Sequence, residues 1–241
     1  MERTRRSLLA AGATIGVVGA AGCLGGGDGG DGGGGVDGGS DGGDGGDAET
    51  DLSLDTGSYD CSLSDPADPD LDYRPTLGDP DADVTVQVFE DFTCGHCASY
   101  TLNHFPTIRE EYVDTGDVHY QHWDFPIPVN ETWAVPVASA ARGVGARNGD
   151  EAFFEFAGAA YESQGNYSGE ALGAAAEAAG VDPCAAMTDA KFATYEEATQ
   201  SDRSEGRSMG VSGTPAVFVN GNVVQGGYGS ETIAEAIESE L

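Results

Sequence analysis

Basic side chains are scarce in this sequence. Its 241 residues include 10 Lys and Arg against 42 Asp and Glu, which gives a formal net charge of -32. Because phosphate binding requires a basic face, this balance excludes nucleic acid as a partner. The acid excess is spread along the whole chain, and repulsion on this scale strains a compact state unless salt screens it. The composition therefore predicts a halophilic protein.

A long hydrophobic run is also missing. The apolar stretch at residues 10–21 is too short and too rich in Gly and Ala for a membrane-spanning helix. A twin arginine precedes it, and the four residues that end in Cys23 resemble a lipobox. We interpret residues 1–23 as a twin-arginine-type lipoprotein signal, with Cys23 as the lipidation site and membrane anchor. An ordinary cleavage site with an incidental cysteine is the alternative.

Residues 24–70 have few apolar side chains. Residues 25–47 are almost pure Gly and Asp, the composition of a flexible, self-repelling tether. A tether directly after a lipidated cysteine supports the lipoprotein interpretation. Residues 48–70 stay acidic and rich in Asp and Pro. We predict a disordered tether over residues 24–70 and one globular domain over residues 71–241.

The sequence has five cysteines. Apart from Cys23, two of them form a Cys-x-x-Cys pair, and no second such pair exists. Cys61 and Cys184 are an even remainder in an exported protein, so they are a possible structural disulfide between the N-terminal extension and the helical part. Two separate thiols are the alternative, because pairing cannot be deduced from sequence.

The Cys-x-x-Cys pair, Cys94 and Cys97, follows a short apolar run at residues 84–89 and opens a helical pattern. A Cys-x-x-Cys at such a junction is typical of a thioredoxin-like redox site. The helix N-terminus favours an anion, so Cys94 is the expected nucleophile. His96, between the cysteines, would stabilise its thiolate further. A pair whose reduced form is stabilised is an oxidant toward other proteins.

Half of a zinc site is the alternative interpretation of this pair. Structural zinc usually has four ligands, and the other candidates are His119 and His122. Both lie in residues 118–124, which predict a strand, and residues three apart on a strand point to opposite faces. The spacing therefore favours redox chemistry, and no metal site is predicted.

The remaining elements follow in a simple order. A helix begins near Cys94 and is kinked at Pro106, and a second strand covers residues 118–124. An Asn220-Gly221 turn and a final helix over residues 230–240 close the chain. Between these parts, about residues 130–209 predict an inserted helical subdomain, with helices at 132–147, 150–162, 169–179 and 188–208. A third strand is predicted at residues 215–220, with a short partner at 223–224.

This order resembles the DsbA-like branch of the thioredoxin superfamily over roughly residues 70–241. Two motifs carry the resemblance, Phe92-Thr93-Cys94-Gly95-His96-Cys97 and Gly210-Val211-Ser212-Gly213-Thr214-Pro215. It implies an α/β, thioredoxin-like fold with an inserted helical subdomain. It also implies a thiol–disulfide oxidoreductase, exported as a lipoprotein, that works through a redox-active disulfide without a metal or organic cofactor.

The resemblance also implies a geometry for the second motif. Pro215 would be a cis proline packed beside the disulfide, and the backbone at Gly213 and Thr214 would bind the substrate chain in an extended manner. The implied partners are cysteine-containing exported proteins and a membrane redox partner. The implied location is the outer face of the cytoplasmic membrane.

Two positions depart from the family pattern. Many extracytoplasmic oxidants have Pro where this chain has Gly95, and Gly-His between the cysteines matches the disulfide isomerases instead. Many relatives carry a buried acid six residues before the first cysteine, where this chain has Val88. Glu90 lies two residues further along the chain and would share the strand face of Val88, so substitution of Glu90 or Asp91 for the family's acid is the alternative. We expect both to be exposed acids in an acidic protein.

The sequence therefore predicts an enzyme that introduces or exchanges disulfides in exported proteins. A reductase or isomerase of the same fold is one alternative. A surface-tethered binding or metal-delivery protein without enzymatic activity is another.

Overall fold

The computed structural model describes residues 52–66, 68–127 and 129–241. The predicted signal, the lipidation site Cys23 and most of the predicted tether lie outside the described residues. None of the helices in the described ranges combines the length and the apolar composition that crossing a membrane requires.

The described strands form one mixed sheet in the order β1-β3-β2-β4-β5. The central strands β2 and β3 are parallel, and the other neighbours are antiparallel. Strand β1, which has three residues, was not predicted because it is too short for a periodicity. The bounds are β1 Thr76–Gly78, β2 Val84–Glu90, β3 Val118–Asp124, β4 Ala216–Val219 and β5 Asn222–Val223.

Side chains along these strands alternate between the two faces of the sheet and form two separate hydrophobic clusters. Val86 and Val88 of β2 are fully buried in the main core, while Phe89 points to the other face and packs with Phe125 and Phe218. His119 and His122 lie on opposite faces of β3, as predicted, and His122 is buried.

The helix that carries the cysteines is broken where the sequence predicts a kink. Helix α1 covers Gly95–Asn103, α2 covers Phe105–Ile108, and a π-helical turn covers Arg109–Val113. Pro106 has no N–H, so the hydrogen bonds of α1 cannot continue through it. The result is two short helices instead of one bent helix.

The inserted helical subdomain follows β3 and is confirmed. Its last predicted helix, residues 188–208, is wrong, because two helices meet there. Helix α6 begins after Asp182, whose side chain caps Cys184 N, and ends at Ala193 in a left-handed conformation with φ 47°. A left-handed Ala leaves no glycine-like signal in the sequence. The helices are α3 Ala134–Asn148, α4 Asp150–Glu162, α5 Gly169–Ala178, α6 Pro183–Phe192 and α7 Glu196–Ser208, and α8 Ser230–Glu238 closes the chain.

The described part of residues 52–70 is an arm that packs on this subdomain, so the prediction of a disordered tether up to residue 70 is wrong there. Leu54, Tyr59 and Leu63 pack against the main core, and Ser58 Oγ donates to Glu170 Oε1 over 2.8 Å. Cys61 and Cys184 form a disulfide with a Cα–Cα distance of 5.3 Å. A few apolar residues are enough to order the arm, because the disulfide holds it in place.

Candidate redox site

Cys94 and Cys97 lie together at the start of α1, and both are free thiols. Cys94 is the N-cap residue, and its thiol donates to the carbonyl oxygen of Thr214 over 3.3 Å. Cys97 is fully buried, and its sulfur accepts the backbone N–H of Asp91 over 3.4 Å. The two sulfurs therefore have different surroundings.

The same surroundings separate the two pKa values. A hydrogen bond from the Cys97 thiol, helped by the backbone N–H groups of residues 96 and 97, outweighs burial and lowers the pKa of Cys94 to about 5. Burial raises the pKa of Cys97 far above its usual range, and the charge of Glu90 adds to this. Cys94 is thus the thiolate at neutral pH, and Cys97 is a protonated thiol.

The segment before β4 packs against Cys94. The Thr214–Pro215 peptide bond is cis, the geometry that the resemblance implies. Thr214 is buried, whereas Ser212 and Gly213 are exposed. An open backbone segment therefore lies directly beside the nucleophilic sulfur.

His96 is exposed and stacks near an aromatic residue that the sequence analysis missed. Its ring centroid lies 5.8 Å from that of Tyr228, which precedes α8. Tyr228 also lies 5.9 Å from His104, and Ser230 N donates to His104 Nδ1 over 3.4 Å. The fold brings the β5–α8 connection to the redox helix, and no local pattern indicates this contact.

The helical subdomain holds the backbone of the redox motif. Gln164 Nε2 donates to the carbonyl oxygens of Phe92 over 2.8 Å and of Cys94 over 3.0 Å. The Tyr167 hydroxyl donates to the Phe92 carbonyl over 2.8 Å. These side chains belong to the α4–α5 connection, so sequence reasoning could not assign them to the site.

Asp91 is buried, so the expectation of an exposed acid is wrong. Its Oδ1 accepts the N–H and the hydroxyl of Thr93, and its Oδ2 accepts Ile127 N over 2.7 Å. Burial raises the pKa of Asp91, and this effect outweighs the hydrogen bonds, which lower it. The carboxylate braces the turn between β2 and α1, and the Asp-x-Thr pattern is a local signal for such a turn.

Glu90 is buried too, and the same expectation is wrong for it. Its Oε1 accepts the hydroxyl of Thr101 over 2.8 Å, and its Oε2 lies 3.3 Å from His122 Nδ1. On the other side of the imidazole, His122 Nε2 lies 3.1 Å from Asp124 Oδ1. Burial disfavours a charged His122, but Asp124 and Glu90 outweigh it and raise its pKa to about 9.

The ion pair of His122 with Asp124 is connected to charged residues of the helical subdomain. The buried guanidinium of Arg142 binds both Asp124 and Asp202. Arg74 then binds Asp202 with two hydrogen bonds of 3.0 and 2.7 Å. When His122 is protonated, three carboxylates (Glu90, Asp124 and Asp202) face three cations (His122, Arg142 and Arg74). This pairing offsets the free energy cost of removing the charges from water. Among the described residues, no group of three or more His, Cys, Asp or Glu side chains is arranged to hold a metal ion.

Comparison with known proteins agrees with this geometry. A family model described as Thioredoxin matches residues 71–239. Disulfide bond formation protein D of Bacillus subtilis (strain 168) is 26% identical over 179 residues, which cover 72% of this chain and 79% of that protein. The crystal structure of oxidised BdbD from Bacillus subtilis matches with a TM-score of 0.63 at 24% identity, over 75% of this chain and 98% of that one. The structure of Chlamydia trachomatis DsbA matches with a TM-score of 0.62 at 21% identity, over 74% and 95%.

Proposed function

The chain belongs to the DsbA-like branch of the thioredoxin superfamily and is a thiol–disulfide oxidoreductase, and from this premise we propose that it introduces disulfides into exported proteins outside the cytoplasm. The observation that carries the proposal is the asymmetry of the two thiols. Cys94 has a pKa lowered to about 5, whereas the pKa of the buried Cys97 is raised. A stabilised Cys94 thiolate favours the reduced pair, and such a pair oxidises its clients.

The reaction is two successive thiol–disulfide exchanges. A client thiolate attacks Cys94 Sγ of the Cys94–Cys97 disulfide, and the Cys97 sulfur leaves and takes up a proton. A second client thiolate then attacks the client sulfur of the mixed disulfide, and Cys94 leaves as a stabilised thiolate. The client loses two electrons and gains a disulfide, while the enzyme becomes a dithiol. A membrane redox partner that accepts these electrons would restore the disulfide.

The backbone beside Cys94 supports a binding mode for the client. Thr214 O lies 3.3 Å from Cys94 Sγ, and the neighbouring Gly213 is exposed. An extended client segment can pair with this backbone, as strand addition requires. Pro215 shapes this segment, and the backbone N–H of His96 helps to stabilise the Cys94 thiolate.

Two substitutions test the proposal. We expect Cys94→Ser to abolish oxidation of a reduced, unfolded client protein. We expect Cys97→Ser to accumulate a client adduct on Cys94 when the client carries a disulfide, because the Cys94 thiolate opens that disulfide and no Cys97 thiol is present to release the client. The adduct is measured by non-reducing electrophoresis and mass spectrometry, with the double variant as the control. Failure of Cys97→Ser to form any adduct would refute the proposal.

Isomerisation is a second candidate, and Gly95-His96 favours it. An oxidant and an isomerase both have a pair that weakly reducing glutathione buffer reduces, whereas a reductase keeps its disulfide until the buffer is strongly reducing. Incubation with a client that carries scrambled disulfides distinguishes the first two. Rearrangement by the dithiol form without net oxidation would favour the isomerase.

We also place the enzyme on the outer face of the cytoplasmic membrane, held by a lipid on Cys23. The support is the twin arginine, the lipobox-like residues before Cys23 and the Gly/Asp stretch that follows. Expression of Cys23→Ser in the producing organism tests this. We expect the variant in the soluble fraction and the parent in the membrane fraction; the same distribution for both would exclude the lipid anchor.

A further inference from the structure

The arm carries a cysteine on an open, extended backbone. Over residues 59–64 its side chains alternate between half-buried and exposed, and Cys61 is one of the half-buried ones. Within the described ranges, the backbone groups of residues 62–66 form no hydrogen bond with another backbone group. The segment around Cys61 therefore has the free, extended backbone that strand addition beside Gly213 and Thr214 requires.

A smooth face of α5 guides this arm to Cys184. Gly169 and Gly173 are four residues apart, so they lie on the same face of the helix. A Cβ at Gly169 would collide with the backbone of the arm, and a Cβ at Gly173 would collide with the ring of Tyr59. The arm then reaches the first turn of α6, where Cys61 is bonded to Cys184. Because the glycine contacts involve neither sulfur, we expect them to align the two thiols in the reduced chain as well.

The redox pair lies at the other end of α5. Gln164 and Tyr167, which hold the backbone of the redox motif, precede this helix, whereas Cys184 lies beyond its C-terminus. Helix α5 has 10 residues and is about 15 Å long. Thiol–disulfide exchange requires direct contact between sulfurs. Cys94 of a folded chain therefore cannot take part in joining Cys61 to Cys184 of that same chain.

We propose that this chain is a client of its own redox pair: the Cys94–Cys97 disulfide of one copy forms the Cys61–Cys184 disulfide of another. The proposal rests on the proposed function, since the same pair donates the disulfide. Both products favour the transfer. Closure of a loop between residues 123 positions apart stabilises the fold of the client copy, and the enzyme copy gains a stabilised Cys94 thiolate.

The transfer consists of two balanced exchanges. The Cys61 thiolate of the client copy attacks Cys94 Sγ of the enzyme copy, the Cys94–Cys97 bond breaks, and the Cys97 sulfur takes up a proton. The Cys184 thiolate, which the N-terminal dipole of α6 favours, then attacks the Cys61 sulfur. The Cys61–Cys184 bond forms and Cys94 leaves as a thiolate. The client copy loses two electrons and two protons, and the enzyme copy gains both electrons and one proton.

The first test uses the full chain as client and as oxidant, in high salt at pH 7 without oxygen. The client is reduced Cys94→Ser/Cys97→Ser, which has no redox pair of its own, and the oxidant is the unmodified chain with both disulfides formed. Samples are alkylated and the two chains are distinguished by intact mass. We expect one equivalent of oxidant to form the Cys61–Cys184 bond about tenfold or more faster than the same concentration of glutathione disulfide, because Cys94 leaves more readily than glutathione. The matched control adds Cys61→Ser to the client, and we expect no net reduction of the oxidant.

A second measurement locates the contact between the two copies. The enzyme copy is Cys97→Ser with glutathione attached to Cys94, and the client background also carries Cys184→Ser. We expect a two-chain adduct that joins Cys94 to Cys61, identified by peptide mass. A client with Cys61→Ser in place of Cys184→Ser should form less adduct, because Cys184 lies in a helix and cannot extend along the client-binding backbone. Only the arm has to be accessible, so a client variant that does not fold still tests the contact.

Three results would overturn the proposal. One is a client chain that the unmodified chain oxidises no faster than glutathione disulfide does, and another is the absence of any adduct through Cys61. The third is formation of the bond in the reduced unmodified chain, during reoxidation, at a rate that does not depend on chain concentration, since this would place the transfer within one copy. An unrelated reduced client protein is oxidised in parallel. If it is oxidised and the client chain is not, the proposed function stands and this inference fails; if neither is oxidised, both fail.

Discussion

Removal of the disulfide between Cys61 and Cys184 has a calculable effect on stability. The bond links residues 123 positions apart, so it restricts about half of the 241-residue chain in the unfolded state. The chain-entropy relation assigns about 5 kcal/mol to a loop of this length. The arm has few other contacts and gains freedom in the folded variant, which offsets part of this loss. We therefore expect Cys61→Ser/Cys184→Ser to lower the free energy of unfolding by about 3–5 kcal/mol.

Urea unfolding in high salt measures this loss. With a slope of about 2 kcal/mol per molar urea for a domain of this size, the midpoint falls by roughly 1.5–2.5 M. The comparison is made in a Cys94→Ser/Cys97→Ser background, so that the redox pair does not contribute. Ser58→Ala is the matched control, because it removes one arm contact to Glu170 and leaves the covalent link intact.

The result that would refute this reasoning is a midpoint that moves no further than in Ser58→Ala. The disulfide would then stabilise the folded protein no more than the exposed contacts of the arm do. In a chain that retains Cys94 and Cys97, we expect Cys61→Ser/Cys184→Ser to oxidise clients normally at urea concentrations below its unfolding midpoint, because the redox site contains neither Cys61 nor Cys184. Loss of activity in a folded variant would show that the arm shapes the site.

Three further predictions follow from charge and backbone. Because the net charge is -32, we expect the helical signal in circular dichroism to disappear below about 0.1 M salt, where the screening length reaches about 10 Å. The signal should return when salt is added. A spectrum that does not depend on salt would contradict the halophilic interpretation. We expect Gly95→Pro to fold and to keep the pKa of Cys94 near 5 when thiolate absorbance is titrated. An added Cβ comes no closer than 3.8 Å to Gln164, and Pro suits the first helical position. A pKa shift of more than about one unit would show that the Gly95 N–H stabilises the thiolate. His122 has a folded pKa of about 9, above its unfolded value of about 6.5, so its contribution is complete below pH 6.5 and disappears as the pH rises through 9. Relative to His122→Gln, urea unfolding should show the native chain losing about 3 kcal/mol of advantage between pH 6 and pH 10, and His119→Gln should show no such trend.

The positions of the strands and of the redox pair could be predicted because their signals are local. Alternating apolar residues define β2 and β3, and the spacing of Cys94 and Cys97 places both in one turn of a helix. Pro215 was assigned through the motif around it, and the structure has that bond in the cis form. Such features depend on neighbours in the chain, so composition and spacing are sufficient to find them.

The break between α6 and α7 and the packed arm were not predictable in this way. Ala193 is buried and adopts a left-handed conformation, for which Ala carries no preference. The arm is ordered by a disulfide whose pairing no sequence rule determines. In both cases a long-range constraint overrides the local propensity.

By itself, the sequence determined the reaction class, the two cysteines that perform it and the order of elements that carries them. Only the tertiary structure decided which charged residues belong to the site. Glu90, His122 and Asp124 look like ordinary polar residues of two strands, but the parallel pairing of β2 with β3 brings them together. Burial then makes their charges strong, because the field of an ion is weakly screened away from water. A sequence states which groups can ionise, whereas the fold sets which of them share one desolvated volume.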